Sequence, residues 1–300
     1  MSLTKFVMFS ILLNSISFSE SLSISSKIYF DYTHFPESTE GFSVKRAYFT
    51  FKKKVSSDLS FTLQTDVNYK SEPKYIYLKK ANVSWENQLG RWSIGVIGMN
   101  MFDVQEKTWG NRFIEKSSMD HNKYSSSADL GIGYNRNLSQ SISLSTLITN
   151  GGGYKYSEND KYKKLSIQMV LGEKNLIKNN GFNYGGAFSF EPFHKDSSTS
   201  VIGLFAGYSS DDFRGGLEYN QIKVDESSSI ISGYVTWKYS NKASLFGRID
   251  SYNNRENSDP YLLLGLIYNP AKGLNIAPNY RMNHKDFDDS LLMINFLFNF

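Results

Sequence analysis

Beyond residue 26 the chain repeats one pattern, an apolar or amphipathic residue at every second position with small polar residues between. Leu59, Phe61, Leu63, Thr65, Val67 and Tyr69 alternate with Ser60, Thr62, Gln64, Asp66 and Asn68. Leu165, Ile167, Met169 and Leu171 alternate with Lys164, Ser166, Gln168 and Gly172, and Ile142, Leu144 and Ile148 with Ser141, Ser143 and Ser145. Successive side chains of a strand point to opposite faces, so each such segment is a strand lying between two different solvents. The pattern predicts strands over 27–34, 42–53, 58–69, 76–86, 91–99, 128–135, 140–149 and 163–172. Eight more follow over 182–191, 200–208, 212–222, 230–239, 243–252, 261–269, 274–283 and 290–300.

The connections carry separate information. In an outer-membrane barrel the periplasmic turns are short and the external loops long, and here the lengths alternate: His34 to Gly41, then Val55-Ser56-Ser57, then Lys70 to Lys74, then Asn87 to Gly90, then the long stretch Asn100 to Ser127. Asn135 to Ser139 is short and Asn150 to Lys161 longer; Ser209 to Asp211 and Ser240 to Lys242 are tight, Val224 to Ser229 and Asn253 to Asp259 looser. Glu173 to Gly181 breaks the rule, long where a periplasmic turn is expected. An even strand number leaves both chain ends on the periplasmic side. The fold class is therefore all-β: a transmembrane antiparallel up-and-down β-barrel of 16 strands in one domain, with an inward-folded third external loop.

Composition supports a barrel over a soluble sandwich. The polar faces are mostly Ser, Thr, Asn, Gln and Gly rather than charged, and Tyr69, Trp85, Trp92, Tyr134, Trp237, Tyr239 and Tyr268 recur near strand ends like an interfacial aromatic girdle. Helical spanning needs apolar runs of about 20 residues, and the longest apolar stretch is N-terminal: Lys5, the run Phe6 to Leu13, then Ser17 and Ser19 before Glu20. That order is an export signal over 1–19 with the barrel over 20–300. The absence of cysteine removes disulfides, thiolate metal sites and a lipidated N-terminal Cys. Leu292, Ile294, Phe296, Phe298 and the terminal Phe300 share one parity. An amphipathic edge ending in a free carboxylate suits capture by strand addition, which makes Phe300 the candidate signal for the barrel assembly machinery.

Spaced segments resemble the phosphate-selective porin O and P family. They are Phe42-Ser43-Val44-Lys45-Arg46-Ala47-Tyr48-Phe49-Thr50-Phe51, Leu78-Lys79-Lys80-Ala81-Asn82-Val83-Ser84-Trp85, Ala128-Asp129-Leu130-Gly131, Phe246-Gly247-Arg248-Ile249-Asp250 and Ala277-Pro278-Asn279-Tyr280-Arg281. The resemblance implies a 16-stranded homotrimeric channel of the Gram-negative outer membrane, its third external loop folded inward to narrow the pore; Asn100 to Ser127 matches that loop in position and length. Its large apolar residues Met101, Phe102, Trp109, Phe113, Ile114 and Met119 would pack on the inner wall, leaving the charged groups Asp103, Glu106, Lys107, Arg112, Glu115, Lys116 and Asp120 to line the narrowest part of the pore, with Lys107, Arg112, Glu115 and Lys116 as the constriction candidates.

Strict parity places Arg46, Lys52, Lys80, Arg91, Lys164, Arg214, Lys238, Arg248 and Arg281 on the lumen side, against Asp31, Asp66, Glu86, Asp129, Glu191, Glu218 and Asp250. Of these, Arg46, Lys80, Arg248, Arg281, Asp66, Glu86 and Asp129 are the pore-lining candidates. Parity yields neither an arginine ladder nor a lysine cluster, and the balance of charge leans mildly toward anions. The function so read is passive diffusion of small hydrophilic solutes, anions among them. The other reading is a non-conducting barrel acting as adhesin, receptor or anchor through its loops. Partners are outer-membrane lipid and lipopolysaccharide, the assembly machinery and the solutes, with no nucleic acid, since the charges are scattered despite a pI near 8.9.

Chemistry-bearing constellations are poor. His34, His121, His194 and His284 fall in segments read as external loops, without a neighbouring serine motif, so no catalytic residue is assigned. Asp286, Asp288 and Asp289, and Glu158 and Asp160, lack calcium-loop spacing, so no metal or cofactor is assigned. Gly151-Gly152-Gly153 lacks the strand-to-helix context and the Lys of a phosphate loop.

Overall fold

A strand in hydrocarbon must satisfy its backbone groups through its neighbours, and only a ring without edges does this for every strand. The computed structural model describes residues 22–34, 40–69, 71–194, 197–254, 258–283 and 290–300, and the export signal read over 1–19 lies outside them. The described residues form β1 (Leu22–His34), β2 (Gly41–Lys54), β3 (Leu59–Asn68), β4 (Tyr75–Asn87), β5 (Gly90–Gly98), β6 (Ala128–Asn137), β7 (Ile142–Thr149) and β8 (Lys164–Gly172). They continue with β9 (Gly181–His194), β10 (Ser197–Ser209), β11 (Phe213–Lys223), β12 (Ser227–Ser240), β13 (Ala243–Asn253), β14 (Ser258–Ala271), β15 (Leu274–Asn283) and β16 (Ser290–Asn299). Every strand pairs antiparallel with its sequence neighbours, and β1 pairs with β16 to close the ring. At the seam the Ser26 N–H donates to the Phe300 carbonyl at 3.1 Å and the Phe300 N–H to the Ser26 carbonyl at 3.3 Å.

All sixteen predicted strands are present. The loose connection expected over Val224 to Ser229 closes to 224–226, because Ser227, Ser228 and Ser229 extend the ladder opposite Lys223, Ile222 and Gln221. The outward parity is apolar all the way round, with Ile94, Leu217, Ile231 and Leu264 exposed, and Trp85, Trp92, Trp237, Tyr239 and Tyr268 exposed toward the end that carries the chain termini.

Two of the register shifts between strands bring adjacent basic residues inward. Between β1 and β2, Tyr29 faces Arg46 and Phe30 faces Val44, so Lys45 is the extra residue. Between β3 and β4, Gln64 faces Lys80 and Thr65 faces Leu78, so Lys79 is extra. A bulge opposes two residues to one and turns the strand's alternation by one position. Adjacent residues thus share the inner face at both places: Lys45 lies 3.1 Å from Asp31 while Arg46 lies 2.7 Å from Asp66. At the second bulge, Lys79 donates to Ser127 and Lys80 faces the lumen.

Candidate functional site

The connection from β5 to β6 turns into the barrel and carries α1 (Asp103–Trp109) and α2 (Ser118–His121). Gly110 ends α1 in the left-handed region at φ 74°, its N–H donating to the Glu106 carbonyl at 2.9 Å. Glycine takes that conformation without the clash a Cβ would bring.

The apolar side of the loop is pressed onto the inner wall. Met101, Val104 and Met119 are fully enclosed, as is Trp109, which meets Tyr234 and Phe246 edge-on at 5.4 and 6.2 Å. The wall is shaped to receive α1: a Cβ on Gly207 would stand 2.4 Å from the Thr108 methyl, and one on Gly216 2.9 Å from it. Around this contact the inner positions of β10 to β16 include the buried apolar residues Val201, Phe205, Ile230, Leu263 and Ala277.

Polar clamps fix the loop's edges. Ser118 donates to Glu218 at 2.8 Å, Asn111 to Thr236 at 2.8 Å, and Arg214 to the Trp109 carbonyl at 3.3 Å. Arg281 donates to Glu115 and to the Ile114 carbonyl, each at 2.6 Å. Arg248 pairs with Asp250, donates to the Lys116 carbonyl and lies 5.6 Å from the Trp109 ring. On the far side Glu115 lies 3.1 Å from His121. Burial alone would raise the Glu115 carboxyl, but the His121 contact and the Arg281 charge outweigh it and hold it well below the usual carboxylate range.

What remains open is an off-axis cavity of ≈ 890 Å³ between the polar side of the loop and the wall running from β1 to β8. Its strand-borne lining is Thr50, Lys52, Thr62, Gln64, Asn82, Ser84, Ser93, Ser143 and Ser145, with Lys79, Lys80, Glu86 and Arg91 among them. The loop contributes Asp103, Glu106, Lys107 and Arg112. Nine basic side chains line this space (Lys27, Lys52, Lys79, Lys80, Arg91, Lys107, Arg112, Arg136 and Lys174) against three acidic ones, Glu86, Asp103 and Glu106. Other inward charges pair outside it, Asp31 with Lys45, Asp66 with Arg46, Asp250 with Arg248 and Glu115 with Arg281.

The sequence candidates accordingly separate into groups. Lys80, Glu86, Lys107 and Arg112 face the cavity. Lys107 pairs with Asp103 at 3.2 Å, and Arg112 bridges Glu106 and Asp120. Asp66 is inward but sealed, accepting from Arg46, Tyr77 and the backbone N–H groups of Ala47 and Val67. Asp129 is buried as well and accepts from the Gly151 N–H at 2.6 Å, tying down the connection that follows β7. Arg248, Arg281 and Glu115 sit behind the loop rather than on the cavity, and Lys116 lies at its edge, 3.8 Å from Asp120. Phe300 is exposed at the outer seam.

Strict alternation missed Lys45 and Lys79. The signal was present, since the outward apolar positions step by three rather than two from Val44 to Ala47 and from Leu78 to Ala81. Of the acidic loop residues expected at the constriction, Asp103 and Glu106 line the cavity and Asp120 does not; Glu106 and Asp120 meet on Arg112, while Asp103 pairs with Lys107. The lumen therefore does hold adjacent lysines, where parity predicted none. His121 is not on an outer loop but inside the barrel, tilted against Tyr261 at 5.3 Å. The His194 side chain, His284, Asp286, Asp288 and Asp289 lie outside the described residues, while Glu158 pairs with Lys163 at 2.8 Å.

No protein-family model and no curated protein matches the chain by sequence. Solved structures do. OmpF of Salmonella typhi superposes with a TM-score of 0.72 at 13% identity, over 94% of this chain and 98% of that one. The fold is that of the outer-membrane porins. The trimer form of OmpT of Vibrio cholerae gives 0.69 at 12% identity over 94% and 99%. The anion-selective porin of Comamonas acidovorans gives 0.69 at 10% over 94% and 100%.

Proposed function

We propose that this chain is an outer-membrane porin, a water-filled channel for passive diffusion of small hydrophilic solutes with a preference for anions. The observation that carries the reading is the cavity left by the inward loop: polar, continuous along the β1 to β8 wall, and lined by nine basic against three acidic side chains. Cations facing a narrow lumen act at close range on a permeating ion, where screening over a Debye length of about 8 Å is weak. Lys80, Lys52 and Arg91 form the basic wall, with Lys79 enclosed beside them on Ser127 and Tyr154; Asp103 and Glu106 form the opposing acidic edge on the loop, and Arg112 and Lys107 are the cations between them. Arg46 stands at the margin, its charge largely spent on Asp66.

The finer reading, membership in the phosphate-selective O and P family, draws support from the two bulges, which place Lys79 beside Lys80 and Lys45 beside Arg46. Export by the N-terminal signal, recognition of the β16 end through Phe300 by the assembly machinery, contact with lipopolysaccharide and homotrimer formation belong to the same proposal. The porin fold and the apolar outer surface support them.

Planar-bilayer recording of the purified protein tests the channel reading. Discrete single-channel steps, with a reversal potential in a salt gradient of the sign for anion preference, are expected. Absence of steps would leave the adhesin, receptor or anchor reading in its place, and clear cation preference would remove the charge argument.

A further inference from the structure

The connection over 173–180 is long, although it sits at the end of the barrel where the other turns are tight. It is not slack. Glu173 N–H donates to the Phe182 carbonyl at 2.8 Å, Asn175 N–H to the Glu173 carboxylate at 2.8 Å, and Lys178 and Asn179 N–H to the Asn175 carbonyl at 3.0 and 3.1 Å. This self-bonded turn presents two neighbours in opposite ways: Ile177 is about half exposed, whereas Leu176 is 1% exposed although it lies in a connection at the barrel's rim.

Leu176 is buried because it reaches the underside of α1. A Cβ placed on Gly207 would meet the Thr108 methyl at 2.4 Å, Asn183 Oδ1 at 3.0 Å and Leu176 Cδ1 at 3.1 Å, so the three side chains converge on one spot of the inner wall. Asn183 closes the arrangement, donating to Thr108 Oγ1 at 3.2 Å and to the Glu173 carbonyl at 2.8 Å. The last turn of the loop helix is thus held laterally by the β10 and β11 wall and from the periplasmic side by the turn. The same turn sends Lys174 to the cavity lining, 3.4 Å from Asn137.

We infer that residues 173–180 are a prop for the constriction loop, with Leu176 and Asn183 as positioning residues that set how far α1 stands from the basic wall. The inference rests on the channel reading. In a barrel the loop is otherwise anchored only from the external end and by side-chain clamps, and a small downward displacement of α1 would move Asp103, Glu106 and Lys107 together. A packed leucine resists such a displacement, because leaving its contacts exposes apolar surface without a substitute partner.

Single-channel recording of Leu176→Ala, Leu176→Met and Ile177→Ala, each checked for heat-modifiable migration of the folded barrel, tests the prop. Leu176→Ala should migrate as a folded barrel yet show a severalfold rise in open-channel noise and a higher mean conductance, whereas Leu176→Met and Ile177→Ala should record as wild type. Should Leu176→Ala not fold, Thr108→Ala removes the same contacts from the loop side and should give the same noise. A quiet, unchanged channel for the folded Leu176→Ala or Thr108→Ala variant overturns the prop, as does equal noise from Ile177→Ala. Silence of the wild type instead defeats the channel reading itself.

Discussion

The two sides of this barrel differ in what their inward positions meet: on one side mostly polar residues border an open cavity, on the other buried apolar residues and paired polar groups lie under the loop. From β2 to β7 the inner face is Thr50, Lys52, Thr62, Gln64, Lys80, Asn82, Ser84, Ser93, Ser143 and Ser145, and it borders the cavity. From β10 to β16 the loop covers it, and buried apolar residues (Val201, Phe205, Ile230, Tyr234, Phe246, Leu263 and Ala277, with Gly207 and Gly216 as gaps) are interleaved with buried polar groups that bond to one another or to the loop, Glu218, Arg248, Asp250 and Arg281 among them. A lumen wall meeting water needs hydrogen-bonding side chains, and a wall meeting a protein loop needs apolar ones with room left for it. In this barrel the interior is asymmetric by residue choice, the loop docking where the inner face offers buried apolar side chains, glycine gaps and polar partners for its edges.

The comparison breaks most severely if the loop is removed. Deleting residues 106–118 should raise single-channel conductance severalfold and expose the apolar half of the interior to water; an unchanged step in bilayers would place the loop outside the conducting path. Next in size is Trp109→Ala, which empties the center of the loop contact and should cost about 3–5 kcal/mol of local packing. Thermal melting in detergent, together with open-channel noise, measures it; unaltered noise with an unaltered melting temperature would contradict the contact.

The outer face supplies a control. Phe61→Lys puts a charge into hydrocarbon and should destabilise the barrel by about 2–4 kcal/mol if it lies near the midplane. Gln64→Lys, on the lumen side of the same strand, should cost far less in a denaturant titration, and equal costs would mean the strand is turned the other way.

Charge sharpens the comparison further. Lys79→Ala combined with Lys80→Ala, on the open side, should move the reversal potential in a salt gradient toward the cation side. Arg248→Ala combined with Arg281→Ala, on the covered side, should leave the potential near wild type and instead loosen the loop. A larger potential shift from the second pair would reverse the assignment.

The smallest effect concerns acid. The Glu115 and Asp120 carboxyls are buried, which opposes ionisation, yet Arg281 with His121 and Arg112 respectively hold both below their ordinary values. A lowered folded-state pKa gives stabilisation that is present above the unfolded value, about 4 for a carboxylate, and lost only as pH falls through the folded one. Conductance should therefore stay constant from neutral pH down to about pH 4.5. Loop release, seen as larger steps, should appear only in stronger acid, and opening near pH 6 would count against this clamp.

Much of this was legible in the alternation. The sixteen strands follow from period two because each strand carries its own apolar face, independent of its neighbours. Inward acids could be placed by parity but not weighed: nothing in the pattern around Asp66 or Asp129 shows that each is sealed by backbone N–H groups. Arg248 and Arg281 read as lumen cations because parity sees the wall and not the loop lying over it. The bulges were written in the three-residue steps from Val44 to Ala47 and from Leu78 to Ala81, a signal that a strict alternation rule passes over. The coiling of residues 99–127, which brings Asp103, Glu106 and Asp120 to Lys107 and Arg112, depends on Gly110 and on the shape of the far wall, and no local periodicity encodes it.

Cysteine scanning tests the asymmetry most directly, since the natural chain has no cysteine to interfere. Single cysteines at inward positions 62, 64 and 82 on the open side and at 205, 230 and 246 on the covered side would be exposed to a water-soluble thiol reagent in intact barrels. Rapid labelling of the first three with protection of the second three is expected, and protection should vanish when residues 106–118 are deleted. Equal labelling of both sets in the full-length protein would contradict the claim that one half of the lumen is a packed core and the other the channel.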